Sequence, residues 1–558
     1  MKKLLALVLA LVMSMSLVTI SNAAFKDADK IDYKEAVDVM NAVGVFIGDE
    51  KGNFNAKENL TREQAAKIIA YLELGSKAAD ALVGGATFTD VASTRWSAGF
   101  VGYCAQAGVV AGVGNGKFDP AGQLTALQFG KMLLVELGYD AKAAGMVGAD
   151  WAINTSKLMA STKLMDKIDG SVNQVLTREK AAQMCVNALK APTVEYSTKG
   201  SSIIVNGAEI NFGASVPTYV TNTIAKEQTI SKQTLTNSNA YTIELGEKLF
   251  KDLKLNRTAD DFGRPANEWF WKAAKVGTYA DKADLSYTEK VKLGTIYSDL
   301  GLGEKVLAKN VTVYVDGDKG TLAKDISKGE DTKIGGQGTL TEVYYDSGDN
   351  TAVICHINYY IGEVQKTVAA TASKDAYIVI ATDSVKPDGA AGVENFTTDA
   401  KFDDDVAVYY TYSESADEIK SVAVCETVSG TVTEAQNAKT AKEDTANVTI
   451  SEKYKAAAKF VGEEVSDSMV KYDYKVYLDG NNNMLKIEKV SKLSNEYALV
   501  RATQGKNVFS SNKAQVVFAD GTEKVVSTAK DYNKVSSYQI PNNTIVTWTE
   551  EDLSLIHI

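Results

Sequence analysis

Histidine is almost absent from this chain of 558 residues, which holds only His356 and His557. His356 lies in an alternating strand pattern and His557 in a tail of unusual composition. A histidine metal centre and a Ser-His-Asp triad are therefore excluded. Cysteine is nearly as scarce. Cys104, Cys185, Cys355 and Cys425 are too few and too scattered for a disulfide scaffold. Cys104 and Cys185 sit in apolar helical patterns where buried thiols are common, and free thiols are favoured over a Cys355–Cys425 pair. An excess of positive charge is missing too. The formal net charge is −11, which argues against nucleic acid as a partner, since phosphates need a basic face. The sequence has no G-x-S-x-G, no P-loop and no H-E-x-x-H. Its acidic residues are abundant, but no catalytic pair can be chosen from spacing alone. The reading is that of a protein that is not an enzyme.

Long apolar runs are missing except at the start. Lys2 and Lys3 precede an uncharged, mostly apolar run from Leu4 to Ile20, and small residues follow at Ser21, Asn22, Ala23 and Ala24. This is the pattern of a secretory signal peptide over residues 1–24. Its removal takes two lysines and leaves a charge of −13. No later segment reaches the ~18 uncharged apolar residues of a membrane span. The remainder has room for several domains, and a hydrophobic content of 45% suits folded ones.

Residues 25–190 read as helical and residues 191–558 as mostly strand and turn, with the change at Ala191-Pro192. Within the helical region a short phrase occurs three times. Leu60-Thr61-Arg62-Glu63 opens a helix to about Leu74, stopped by Gly75. Leu124-Thr125-Ala126-Leu127 opens one to Leu137, stopped by Gly138. Leu176-Thr177-Arg178-Glu179 opens one to about Lys190. Thr61 with Gln64 and Thr125 with Gln128 match the capping box. Each of these helices is preceded by another. Phe25-Lys26-Asp27 leads to Val37, Met40 and Val43, then a loop through Gly48, Gly52 and Phe54. Phe88-Thr89-Asp90-Val91 leads to Trp96, Val101 and Ala105, then a loop through Gly112, Gly116, Phe118, Asp119 and Pro120. The third copy starts at Trp151 with no Phe-x-Asp.

These phrases resemble the S-layer-homology family: an F-x-D opening, an aromatic, a G…G-x-F-x-P loop, then a T-R-A-E-like helix start. The resemblance covers residues 25–80, 86–140 and 146–191. It implies a three-pronged helical bundle that binds secondary cell wall polysaccharide, commonly through a pyruvylated amino sugar. Arg62 and Arg178 match the family's arginine, and Asp27 and Asp90 its acidic residue, expected to accept from sugar hydroxyls. Gly48, Gly112 and Gly116 match the loop glycines, expected to let backbone approach the ligand. Trp96 and Trp151 match the aromatic position, with Tyr33 as the stand-in in the first copy, and core packing is their expected role. Physical reasoning agrees that an arginine beside the unpaired N–H groups of a helix start would suit an anion. Ala126 replaces the arginine in the second copy and the third lacks the aspartate, so the sites are expected to be unequal.

The rest reads as β-modules. Val313-Tyr314-Val315-Asp316-Gly317, Val343-Tyr344-Tyr345-Asp346-Ser347, Val476-Tyr477-Leu478-Asp479-Gly480 and Val517-Phe518-Ala519-Asp520-Gly521 are each a strand running into a turn. The expected architecture is α plus all-β: the helical bundle, a mixed module at 192–300, then small sandwich-like or barrel-like modules at 301–370, 371–500 and 501–558. A short helix is expected from Glu244 to Leu255, and the cluster Trp269, Phe270 and Trp271 reads as core rather than a sugar platform. Two groups are candidates for calcium, Asp403-Asp404-Asp405 and Asp479 with Asn481 and Asn483, though solvated turns are the preferred account of both. No other cofactor is expected. Residues Leu553 to Ile558 look like translated sequencing adapter, so the natural protein is expected to be longer. Taken together, the pattern is that of an exported cell-surface protein held to the bacterial wall, its β-modules forming or decorating a surface layer by self-assembly. An adhesin or glycan-binding protein on the same anchor, and a wall-anchored enzyme whose catalytic domain lies outside this chain, are the alternatives.

Overall fold

The computed structural model describes residues 25–84, 88–205, 208–222, 240–302, 311–319, 333–371, 374–382, 392–398, 400–437, 445–490, 497–503, 513–518, 523–528, 543–551 and 554–557. The segment read as a signal peptide and the Asp-Gly turn at 520–521 lie outside them. Among the described residues no helix is long and apolar enough to cross a membrane. The four cysteines are buried and free. The chain divides into two compact bodies: residues 1–285 with 305–323 and 342–355, and residues 286–304, 324–341 and 356–558.

In the first body six helices form three helix–loop–helix copies: α1 (Lys34–Ala42) with α2 (Arg62–Leu74), α3 (Ala98–Gln106) with α4 (Ala126–Glu136), and α5 (Trp151–Ser161) with α6 (Arg178–Lys190). The expected helix signals work at α2 and α4. Thr61 and Thr125 accept from the third helical N–H, and Gln64 and Gln128 reach back to the cap. Gly75 (φ 75°) and Gly138 (φ 103°) lie just past these helices in a backbone conformation that L side chains rarely adopt. At α6 Thr177 has no capping bond and its buried hydroxyl is unpartnered, and the third helical residue, Lys180, has no acceptor with which to reach back to the cap.

The copies are joined at their centre by a closed cycle of backbone hydrogen bonds. Leu60 N–H donates to Leu176 O (2.8 Å), Leu176 N–H to Leu124 O (2.9 Å) and Leu124 N–H to Leu60 O (3.1 Å). All three leucines are buried. The leucine before each threonine thus lies on a pseudo-threefold axis. Around it, α2 packs on α3, α4 on α5 and α6 on α1, so every packed pair joins two copies or closes the last on the first.

The change of secondary structure falls at Ala191-Pro192, where α6 ends, but packing continues across it. Val194 N–H donates to Leu137 O at 2.8 Å, and a Cβ on Gly138 would lie 2.0 Å from Val194 O. A three-stranded antiparallel sheet, β1 (Leu253–Ala259), β2 (Pro265–Trp271) and β3 (Ala274–Ala280), shares the helices' apolar core. Trp269, the largest fully buried side chain among the described residues, sits in it, in keeping with the core reading of the tryptophan cluster. The helix expected from Glu244 to Leu255 is shorter, Leu245–Leu249. Leu253 onward is strand because full pairing with β2, from Leu253↔Trp271 to Ala259↔Pro265, outweighs a local helical preference. Further along this body, Asp316 (φ 49°) and Gly317 (φ 92°) form a two-residue turn between Val311–Val315 and Asp318–Lys319, the turn that an Asp-Gly pair favours.

The second body is β-rich. One five-stranded antiparallel sheet has the order Gly392–Thr397, Tyr377–Thr382, Tyr360–Val368, Ala407–Ser413, Glu418–Val424. It buries Tyr360, Val364, Ile378, Ile380, Val408 and Tyr410. A six-stranded sheet covers Glu426 to Lys489 and is antiparallel except where Lys453–Gly462 pairs with Asn483–Lys489. The five strands described between Tyr497 and His557 close into a barrel. The chain is thus α plus β, in that order. Of the calcium candidates, residues 403–405 form an exposed turn. Asp479 is buried, and its Oδ1 accepts the N–H groups of Asn481 (2.8 Å) and Asn483 (2.9 Å). It closes a turn.

Candidate binding grooves

The helix-start arginines do not face the loops of their own copies. Arg62 Nε donates to Phe118 O (2.7 Å) and its Nη2 to Ala111 O (2.8 Å), with the guanidinium carbon 4.6 Å from the Phe118 ring centre. Arg178 repeats this on the first copy's loop: Nε to Phe54 O (3.0 Å), Nη2 to Ile47 O (3.2 Å), and the ring of Phe54 at 5.1 Å. Each groove is therefore composite. One joins Arg62 with residues 88–119, the other Arg178 with residues 25–54.

Two donors of each guanidinium are held by backbone carbonyls and its plane rests on an aromatic face. The Nη1 group has no partner among the described residues. Burial pushes both arginines below their ordinary pKa. Asp119 and Asp90 oppose this at Arg62, and Glu58, Asp27 and Asp49 at Arg178. An arginine so placed stays charged at any physiological pH. It is pre-aimed, half-buried and has free donor capacity, which suits it to a carboxylate or a sugar oxygen.

The aspartates hold the loops. Asp27 Oδ1 and Oδ2 accept the N–H groups of Phe54 (2.7 Å) and Asn55 (2.8 Å). Asp90 does the same for Phe118 (2.8 Å) and Asp119 (2.8 Å). These backbone bonds, that of Phe118 foremost, hold the Asp90 carboxyl below the usual range. Each aspartate thus fixes the phenylalanine that lies under an arginine. Gly48 and Gly112 serve the same packing. A Cβ at Gly48 would meet the Phe25 ring at 2.9 Å, and one at Gly112 the Phe88 ring at 2.9 Å and Lys117 O at 2.7 Å. Gly116 (φ 68°) offers its carbonyl to Thr89 N–H. Their need for glycine is internal packing and backbone conformation.

The helix-start amides are not free, contrary to the expectation of an amide-lined anion site. Arg62 N–H donates to Gly122 O and Glu63 N–H to Pro120 O; Ala126 to Gln174 and Leu127 to Val172; Arg178 to Glu58 and Glu179 to Ala56. Tight insertion of each helix start into the loop of another copy satisfies them. The glutamates after the arginines are buried as well. Glu63 takes Arg95 (2.7 and 2.8 Å) and Ser97 (2.6 Å), while Glu179 takes Asp32 N–H (2.9 Å) and Lys57 (2.6 Å).

The third junction, between Ala126 and residues 163–174, keeps the paired amides but lacks the arginine and the buried glutamate. It has Ala126 and buried Leu127 where the others have Arg-Glu. Counting back from the paired carbonyls of Glu58, Gly122 and Gln174, Gly170 stands where Phe54 and Phe118 stand. The missing arginine and the missing aspartate, read from different copies, thus fall in one place.

Tyr33 and Trp151 pack against the helical core as expected, and Trp96 does not. Trp96 is 53% exposed, with Lys67 Nζ 5.9 Å from its ring centre. Trp151 is half-buried, with Lys131 at 5.8 Å. Both lie eight residues before their helix's buried Cys104 or Met159. Asp32, not Tyr33, is eight before Met40. The first groove thus has an aspartate at that position. Sequence reasoning also passes over Phe54 and Phe118 as the rings beneath the two arginines, although both stand in the loop phrase.

Comparison with known proteins accords with this geometry. The S-layer homology domain model matches residues 24–66 and 87–128. The chain is similar to a surface layer protein of Brevibacillus choshinensis, 30% identical over 216 residues, 37% of this chain and 18% of the relative. It is similar to a middle cell wall protein of Brevibacillus brevis, 28% identical over 204 residues, 36% and 19% of the two chains. A cell surface protein of Thermoanaerobacter kivui is 27% identical over 203 residues, 35% and 25%. The chain therefore spans a quarter or less of the length of these relatives. Residues 24–66 and 87–128, which span most of the first two helix–loop–helix copies, thus carry the pattern of the S-layer homology domain family.

Proposed function

We propose that the chain is an exported cell-surface protein anchored non-covalently to secondary cell wall polymer through the grooves of Arg62 and Arg178. The observation that carries the reading is the pre-aimed arginine, stacked on phenylalanine, in each of two composite grooves. Their free Nη1 donors suit the carboxylate of a pyruvylated amino sugar, bound by charge-assisted hydrogen bonds. Trp96 supports a stacking contact for a sugar ring at one groove. The third junction, without arginine, aspartate or phenylalanine, takes no ligand of this kind. The third copy, residues 146–191, is read as a repeat of the same family, because α6 enters the first copy's loop as α2 enters the second's. The β-rich remainder is read as small sandwich-like or barrel-like modules that form or decorate a surface layer. The relatives' names, all of surface or wall proteins, support that over an enzyme.

The test is calorimetric titration of the full chain with purified, pyruvylated wall polymer and with the same polymer stripped of pyruvate by mild acid. Two sites on the first and much weaker binding to the second are expected. Equal binding to both removes the carboxylate reading. Three equal sites remove the groove assignment. Regular sheets from purified protein support the layer role, and a monodisperse monomer opposes it.

A further inference from the structure

Of the three most closely packed pairs among these six helices, two are between helices that follow one another in the chain, α2 with α3 and α4 with α5. The pair α6 with α1 joins the last copy to the first and has no short connecting segment. This is the junction that forms the Arg178 groove. Its closure rests on non-covalent contacts alone.

The sheet β1–β3 lies against that pair. Glu35, on the first turn of α1, accepts from Trp269 Nε1 (2.8 Å) and Asn267 Nδ2 (2.9 Å) through Oε1. Lys190, the last residue of α6, stands 3.8 Å from the same oxygen, with its ammonium 5.4 Å from the Trp269 ring centre. One turn further along α1, Asp38 accepts from Tyr279 OH at 2.8 Å. Lys167 of the third copy reaches Asp281, just past β3, at 3.2 Å. Trp269 and Asn267 are buried. The sheet therefore grips α1 of the first copy and α6 of the third at once. From Glu35 the path to the groove is short. Asp32, three residues earlier, donates its N–H to Glu179, the neighbour of Arg178.

We infer that the sheet of residues 253–280, through Trp269 and Tyr279 on Glu35 and Asp38, is the clasp that closes the junction of the last copy on the first and so positions Arg178 for its ligand. The effect on ligand rests on the groove reading above; the closure itself does not. Trp269 and Tyr279 are positioning residues and touch no ligand. The sheet acts on the Arg178 groove and leaves the Arg62 groove alone, since α2 and α3 are held by their own connection.

The experiment uses the full chain with Trp269→Phe and Tyr279→Phe together, which remove the N–H and the O–H but keep an aromatic ring at each position. In an Arg62→Ala background, pyruvylated wall polymer reports the Arg178 groove. In an Arg178→Ala background it reports the Arg62 groove. The expected result is binding about tenfold weaker in the first background, the loss of about one hydrogen bond to a charged group, and a change of less than about twofold in the second. Hydrogen exchange without polymer is the second readout. Amides of α1 and α6 should exchange faster in the variant, while those of α2 and α3 keep their rates. Equal weakening in both backgrounds, or unchanged exchange in α1, overturns the clasp. If neither background binds polymer at all, the groove reading fails and the exchange rates alone decide the closure. Should the double variant unfold, Glu35→Gln, which keeps an acceptor for Trp269 but drops the attraction for Lys190 and Lys167, gives the same contrast at smaller amplitude.

Discussion

The Arg62 groove and the Ala126 junction occupy equivalent places around one axis, and in both the helix-start amides are satisfied by the next copy's loop. They share backbone geometry and differ in every side chain that would meet a ligand. The Arg62 groove has an arginine held by two carbonyls, a phenylalanine beneath it and an aspartate fixing that phenylalanine. The Ala126 junction has alanine, leucine and Gly170. The backbone is thus what the bundle needs to stand, and the side chains are where the junctions differ. The two are separable because each site belongs to a junction between copies. Losing a site costs the bundle no hydrogen bond of its frame.

That comparison can be broken most directly by removing both arginines. Arg62→Ala with Arg178→Ala should lower affinity for wall polymer by at least a hundredfold, on the order of 3 kcal/mol, with the melting temperature little changed. Retained binding in a titration would mean the Ala126 junction or another surface carries the ligand. Trp269→Ala comes next. The residue is fully buried between sheet and helices, so the cost should be about 3–5 kcal/mol in denaturant unfolding. The helices and the sheet should melt together. Separate transitions would show that the sheet is an independent domain.

The odd copy differs at its far end too. Glu136 is buried on α4 at the place of Leu72 on α2 and Ala188 on α6, counting from the helix starts. Burial, and then the nearby Glu73, push its carboxyl up to about 8. A carboxyl held neutral in the fold favours the folded state fully below its unfolded pKa, ~4.5. That contribution is lost as pH rises toward 8, because the unfolded chain releases the proton first. Stability should therefore fall over this window, and Glu136→Gln should remove the fall. The readout is the difference in melting temperature between variant and parent, near zero at pH 5 and positive at pH 8. A constant difference would place the carboxyl in water. The smallest effect concerns the caps. Lys180→Gln should let α6 form the box that α2 and α4 have, gaining about 0.5–1 kcal/mol. No gain would mean that Lys180's bond to Asp169 O matters as much.

Much of this is legible in the residues. Leu60-Thr61 and Leu124-Thr125 locate two of the helix starts to the residue, because a cap and a short-range box are local chemistry. The Asp316-Gly317 turn is legible for the same reason. The site is only half legible. Arg62 and Arg178 stand out, yet the loop that each faces belongs to another copy, 49 to 131 residues away in sequence. Asp27 stands out with the wrong emphasis, since nothing local shows that its oxygens meet the N–H groups of Phe54 and Asn55. The strand at Leu253 reads as helix because its partner, β2, lies beyond a turn that periodicity does not weigh. The docking of Trp269 on Glu35 joins residues 234 apart and leaves no mark on either neighbourhood.

The cycle of Leu60, Leu124 and Leu176 has a further consequence. Open repeat arrays can lengthen by duplication, because each new unit meets the free face of the last. Here the third copy's N–H returns through the second to the first, and no face is free. A duplicated fourth copy would have no donor or acceptor waiting, and a deleted one would leave two buried backbone groups unmatched. Copy number is therefore frozen at the axis. Change is confined to the side chains that each junction displays.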